Sequence, residues 1–351
     1  MRKVDFIIVG QGIAGTFLSW FLLKNKKTFI VIDEQKYASA SKVAAGIIHP
    51  VTGRRMVKTW MADTLIPFAQ HTYEEIETHF SRKIFHSFPI IELLSSVKEY
   101  NDWMSRSEDA GMQPYIESME VEDLYSDVLH PFLKKIIVNK SSWIDIGTLL
   151  SAFHDYFLEE KMIEEEKLDH DQLGLEKDEV RYKDIHAGKI IFCEGVEALH
   201  NKYWKTLPFL PAKGEILIVE AKMNLQHILN RNIYILPIGN NLFKVGSTYT
   251  WKFDDAMPTD EAREFLISRL KLILKIPFEV VDQMAAVRPT VKNRRPFLGL
   301  HPEHKQIGIF NGLGTKGCLL APFFADHLAG FLCGRNELMK EVDVGRSIKH
   351  E

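Results

Sequence analysis

The sequence predicts an α/β fold with an inserted α+β region, and three observations predict it. Val4 to Val9 is an almost unbroken apolar run, as in a parallel strand buried on both faces. It runs into a glycine-rich turn, Gly10-Gln11-Gly12-Ile13-Ala14-Gly15, and then a helix pattern over Thr16 to Lys24. A second strand, glycine turn and helix stand near the other end, between Ile307 and Leu332.

The first unit is completed by an apolar run from Thr28 to Ile32 that ends at Asp33. Gly10 permits the tight turn. Gly12 admits a pyrophosphate to the backbone with no Cβ in the way, and Gly15 lets the helix pack close to the strand. The phosphates then lie at the helix N-terminus, where free N–H groups and the dipole favour negative charge. Ile13 and Ala14, inside the turn, count with it as cofactor-binding. Asp33 ends the second strand, where a carboxylate accepts from ribose hydroxyls; its neighbour Glu34 is the alternative. The unit predicts a Rossmann-like dinucleotide-binding domain but does not separate FAD from NAD.

Two features favour FAD. Ser39 to Gly46 is rich in small residues, and Ser41, Ala44, Ala45 and Gly46 let a backbone lie flat on a planar ligand. The second feature is the late turn Gly312-Leu313-Gly314-Thr315-Lys316-Gly317, with a helix over Cys318 to Leu332 that tolerates Pro322 in its first turns. No further strand and acid follow it, so it is expected to address another part of the same cofactor. Reduced flavin carries negative charge around N1 and the C2 carbonyl. Helix amides with Gly312, Gly314, Thr315, Gly317 and the Lys316 ammonium would stabilise that charge.

Two distant turns on one cofactor require a discontinuous domain. The expected cofactor segments are 1–80, 140–200 and 286–351, with 81–139 and 201–285 forming a substrate domain. Trp143 to Glu160 reads as a strand edge and an amphipathic helix. Lys189 to Cys193 reads as a short buried strand ending in Glu194-Gly195, and Gly195 is counted as cofactor-binding. In the other segments, Phe85 to Leu94 and Gly214 to Ala221 read as strands. Tyr234 to Pro237 and Leu242 to Tyr249 flank the turn Gly239-Asn240-Asn241. Thr259 to Leu274 reads as a helix with Thr259 as N-cap. The charge-rich stretch Glu159 to Glu179 reads as a solvated helix end and hairpin. No internal repeat is present.

A formal net charge of −3 gives no broad attraction to nucleic acid or anionic membrane. The 3 cysteines, Cys193, Cys318 and Cys333, form no CxxC pair and lie in apolar stretches. They read as buried thiols in a reducing compartment, with no metal site expected. Asp5 and Gln11 break the N-terminal apolar run, and Asp326 and His327 break the late one. A soluble, cytoplasmic protein is expected.

From Val4 to about Leu332 the sequence resembles the D-amino-acid oxidase and glycine oxidase family of FAD-dependent amine oxidoreductases. The matching pieces stand in order: the first glycine turn with Asp33, Ala44-Ala45-Gly46, Lys213-Gly214-Glu215, Tyr234-Ile235-Leu236-Pro237, Val245-Gly246-Ser247-Thr248, Arg288-Pro289, Pro296-Phe297-Leu298-Gly299 and the last turn. The resemblance implies a substrate domain on a mixed sheet. It also implies that Arg288 and the Tyr234 hydroxyl hold a substrate carboxylate, the α-hydrogen of a small amino acid or N-substituted amino acid leaving as hydride to flavin N5. Oxygen or another carrier would reoxidise the flavin.

The stretch Gly46 to Arg55 is more polar and basic than that family leads one to expect. His49 is a candidate for contact with substrate or flavin, beside the plainer reading of a structural histidine. Arg54 and Arg55 are candidates for an extra acidic group on the substrate, for FAD phosphate, or for solvent. A second resemblance, through Gly-Leu-Gly, a basic residue and Ala-Pro, is to the FAD-dependent domain of the bifunctional tRNA wobble-uridine modification enzyme. The net acidity of the chain does not favour tRNA. A non-catalytic FAD-binding subunit is the third alternative.

Overall fold

The computed structural model describes residues 1–35, 39–52, 56–117 and 123–348. Arg2–Val9 lies at the centre of an eight-stranded sheet. It pairs in parallel with Phe29–Ile32 on one side and Ile185–Phe192 on the other. Ile163–Glu164 and Ile307–Asn311 continue the parallel arrangement outward. Alternation along the central strand explains its unbroken hydrophobicity. Phe6 and Ile8 pack with Phe17 of the first helix and Phe324 of the last. Ile7 and Val9 pack on the opposite face with Trp204 and Phe297.

The first helix spans Ile13–Lys24, with Gly12 at its N-cap. It begins earlier than the sequence pattern suggests, so Ile13 and Ala14 belong to its first turn. The last helix spans Gly317–Leu332 and contains Pro322. Proline has no N–H, so the Cys318 carbonyl four residues back loses its helical donor. The Tyr73 hydroxyl fills that vacancy, donating to the Cys318 carbonyl at 2.9 Å. Tyr73 lies on Ala62–Phe80, a helix that the sequence reading did not anticipate. Its Leu65, Ala69, Tyr73 and Ile76 are buried, an apolar stripe at helical spacing.

A second eight-stranded sheet has the order Glu279–Arg288, Ala212–Glu220, Leu242–Gly246, Ile233–Gly239, Ile228–Arg231, Ile90–Leu94, Lys134–Val138, Ile116–Glu117. Ile228–Arg231 pairs in parallel with Ile90–Leu94 and the other pairings are antiparallel, so the sheet is mixed. One face packs on Leu266 and Leu270 of the helix Asp260–Lys271. Thr259 caps that helix by accepting from the Ala262 N–H. The other face presents Ile216 and Ala286 to Val43 of the small-residue segment. Glu279–Arg288 is one continuous strand through residue 286, so Arg288 stands on this sheet.

Two expected elements differ in detail. The run 85–94 divides into Phe85–Ser87 and Ile90–Leu94, which join different sheets. Pro89 lies at the division, where a ladder donor is missing. Leu242–Gly246 stops short of Tyr249 because Ser247 and Thr248 turn toward Arg288.

Candidate active site

A cavity of about 1080 Å³ opens at the carboxyl ends of the parallel strands and reaches the face of the mixed sheet. That end of an open α/β sheet is where its ligands bind. The first glycine turn forms one wall. Gly10 has φ +100°, and its N–H donates to the Ile32 carbonyl at 2.9 Å. Asp33 braces this turn: its two carboxylate oxygens accept from the N–H of Gln11 at 2.6 Å and of Gln35 at 2.7 Å. Ser41 Oγ accepts from the Ile13 N–H at 3.0 Å, which ties the small-residue segment to the first helix.

Most residues singled out in the sequence meet at this cavity. Gly10, Gly12, Ile13 and Ala14 line it with Asp33 and Glu34. Ser41, Ala44, Ala45 and Gly46 line it, as do Gly195, Gly314, Thr315 and Gly317. Gly15 and Gly312 do not. A Cβ on Gly15 would overlap the Gly10 carbonyl oxygen, and one on Gly312 would lie 2.7 Å from Val291 Cγ2. Both are packing positions. Lys316 also does not line the cavity, although the sequence places it toward a flavin. Its Nζ donates to Thr59 Oγ1 at 2.6 Å and Thr52 Oγ1 at 3.1 Å. Burial, with a smaller effect of Arg294, lowers its pKa to about 8. Arg54 and Arg55 lie outside the described residues.

The wall shows two signs of a polar ligand larger than a substrate. Gly12 lines the cavity at the N-terminus of the first helix, where a Cβ would stand only 3.2 Å from Ser41 Oγ. His170, farther along the cavity, has a buried Nδ1 with no hydrogen-bond partner among the described residues. Buried polar atoms are rarely left unpaired. These features fit a dinucleotide.

Arg288, Tyr234 and His49 gather at the end formed by the mixed sheet. The Arg288 guanidinium lies across Gly214, where a Cβ would overlap its Nη2. Its hydrogen-bond partners are neutral: Nη2 donates to Ser247 Oγ at 3.0 Å, and both terminal nitrogens reach the Thr248 carbonyl at 3.3 Å. Among the described residues it has no carboxylate partner. Burial lowers its pKa. Tyr234 is placed by Gly246, directly across the ladder, where a Cβ would stand 2.8 Å from the tyrosine oxygen. Burial raises the pKa of that hydroxyl, which keeps it a protonated donor. A planar cation beside a phenolic donor has the chemistry to receive a carboxylate.

His49 is held by its neighbours: Nδ1 accepts from the Val51 N–H at 3.3 Å, and Nε2 lies 3.0 Å from Glu92 Oε1. Asn230 Nδ2 donates to the same Glu92 oxygen at 2.8 Å. Neither Glu92 nor Asn230 was anticipated. A lone acid inside Ile90-Ile91-Glu92-Leu93-Leu94 is the signal that could have found the first. Glu194, also unanticipated, lines the cavity, and burial pushes its pKa up to about 7 despite a hydrogen bond from Asn201 Nδ2 at 2.7 Å. Away from the cavity, His301, Glu303 and His304 bring possible metal-ligand atoms within 4.8 Å of one another, on a loop where the sequence reading expected no metal. No described helix is long and apolar enough to cross a membrane.

Known proteins resemble this chain in sequence and in fold. The family model for FAD dependent oxidoreductases, DAO, matches residues 5–330. A glycine oxidase of Bacillus subtilis is 22% identical over 92% of this chain and 90% of its own. A tRNA 5-methylaminomethyl-2-thiouridine biosynthesis bifunctional protein of Idiomarina loihiensis is 23% identical, over 46% of this chain and 29% of its own. Among solved structures, iminodiacetate oxidase from Chelativorans superposes with a TM-score of 0.81 at 19% identity, covering 98% of each chain. Glycine oxidase from Geobacillus kaustophilus gives 0.80 at 19% identity, covering 96% of each.

Proposed function

This chain belongs to the DAO family of FAD dependent oxidoreductases, and we propose that it oxidises the C–N bond of a small amino acid or N-substituted amino acid. The observation that carries the reading is Arg288, a part-buried guanidinium with neutral partners at the cavity end opposite the glycine turn. A buried cation without a counter-ion is costly, and a substrate carboxylate would supply one. Gly10, Gly12 and the amides of Ile13 and Ala14 would hold the pyrophosphate, and Gly314, Thr315 and Gly317 the other end of the cofactor. FAD, when bound, supplies the two-electron acceptor.

The chain's own part is positional. Arg288 and Tyr234 fix the carboxylate, and Ser247 and Thr248 fix Arg288. Ile90, Ile216, Ile228 and Ala286 line the same end with apolar surface, which excludes water and strengthens the ion pair. The test is anaerobic addition of glycine, sarcosine, proline, D-amino acids and acidic N-substituted glycines to the flavin-loaded protein. Bleaching of the flavin by members of this panel is expected. A flavin that dithionite reduces but no member bleaches contradicts the reading.

The relation to the tRNA-modifying protein favours a second reading, oxidation of a side chain on a tRNA base. Retention of tRNA at low salt, lost as salt rises, would support it; no retention at low salt removes it.

A further inference from the structure

We propose that Asn230 Oδ1 binds the substrate nitrogen, and that Glu92 and His49 act behind it as positioning residues. The inference rests on the function proposed above and assigns the amine half of its substrate. Asn230 faces Tyr234 across the ladder on one side and Glu92 on the other. Directly opposed residues point to the same face, with Cβ atoms about 5 Å apart. The nitrogen site therefore lies on the strand beside Tyr234, whose hydroxyl holds the carboxylate.

The polarity of Asn230 follows from its neighbours. The Val51 N–H is a donor, so His49 Nδ1 accepts it and the neutral ring carries its proton on Nε2. That proton points at Glu92 Oε1. An ionised carboxylate only accepts, so Asn230 must turn its NH2 group to Glu92, as it does at 2.8 Å. Oδ1 is then directed away from Glu92. It accepts from no described residue, and Asn230 lines the cavity. Reversing the amide would set two acceptors against each other. Lys316 steadies the far end of this chain: Thr59 Oγ1 accepts from Lys316 Nζ and donates to the His49 carbonyl at 3.0 Å.

The test compares two ligands on the flavin-loaded protein without oxygen, read by flavin absorbance. One is the amino acid that reduces the wild type. The other is a nitrogen-free carboxylate of matching length, such as acetate or propionate, which binds without reaction. Asn230→Leu should raise the half-saturating amino-acid concentration about tenfold and leave the carboxylate Kd within about twofold. Glu92→Gln, whose amide no longer dictates the orientation of Asn230, should show a smaller loss of the same selective kind. Equal shifts for both ligands, or no shift for either, overturn this assignment alone. A wild type that no amine reduces overturns the parent reading and this one with it.

Discussion

Arg288 reaches the cavity because position 214 carries no side chain. Gly214→Ala would place a methyl group where Nη2 lies, and the guanidinium, at the end of a flexible chain, would give way before the sheet does. Arg288→Ala and Gly214→Ala should therefore share a phenotype. The first should raise KM for a carboxylate substrate by roughly 30-fold or more, as truncating one partner of a buried charge pair costs about 2–5 kcal/mol. The second should follow in the same direction, with flavin retention kept in both. Steady-state kinetics of the two variants check this; an unchanged KM in either removes the carboxylate role. Glu194 gives a pH dependence. Its pKa is raised to about 7 in the folded protein from 4.5, so its neutral form favours folding, and that contribution is lost as pH rises through 7. Glu194→Gln should stabilise more at pH 8 than at pH 5, by roughly 2 kcal/mol between the two. Thermal melts of both proteins at both pH values test it, and a difference independent of pH contradicts it.

At the level of elements, Tyr73 and Pro322 make one device across two helices. Tyr73→Phe keeps the ring and leaves the Cys318 carbonyl without its donor, which should cost about 1–3 kcal/mol. Denaturant unfolding measures this, and an unchanged midpoint means that another donor has taken the place. Much of this level was legible. The glycine turns, Asp33, the strand near Gly214 and the Thr259 cap all rest on local patterns of a few residues. The helix Ala62–Phe80 carries an equally local stripe, but Pro67 sits inside it and masks the signal. The division of 85–94 was foreshadowed by Pro89. What local pattern does not contain is pairing between distant strands. Asn230, Tyr234 and Glu92 meet only through a register linking three separate segments. Lys316 shows the same limit. Its position after a glycine turn suggested a ligand contact, and only the packing of residues 52 and 59 shows where its ammonium goes.

Across the whole molecule, one cavity spans the two sheets and would serve two chemistries. The parallel strands of the first sheet lead to the glycine-lined space proposed for a dinucleotide, and the mixed sheet carries the cation and donor proposed for a carboxylate. Gly12, at the N-terminus of the first helix, and Arg288, on the mixed sheet, lie far apart in sequence, yet both line this space. The most direct measurement is an anaerobic titration of the flavin-loaded protein with its reducing amino acid, repeated at increasing concentrations of the nitrogen-free carboxylate. The carboxylate should perturb the flavin absorption band, compete with the amino acid for flavin reduction, and do neither in Arg288→Ala. A carboxylate that leaves the spectrum and the reduction unaffected in the wild type would contradict this.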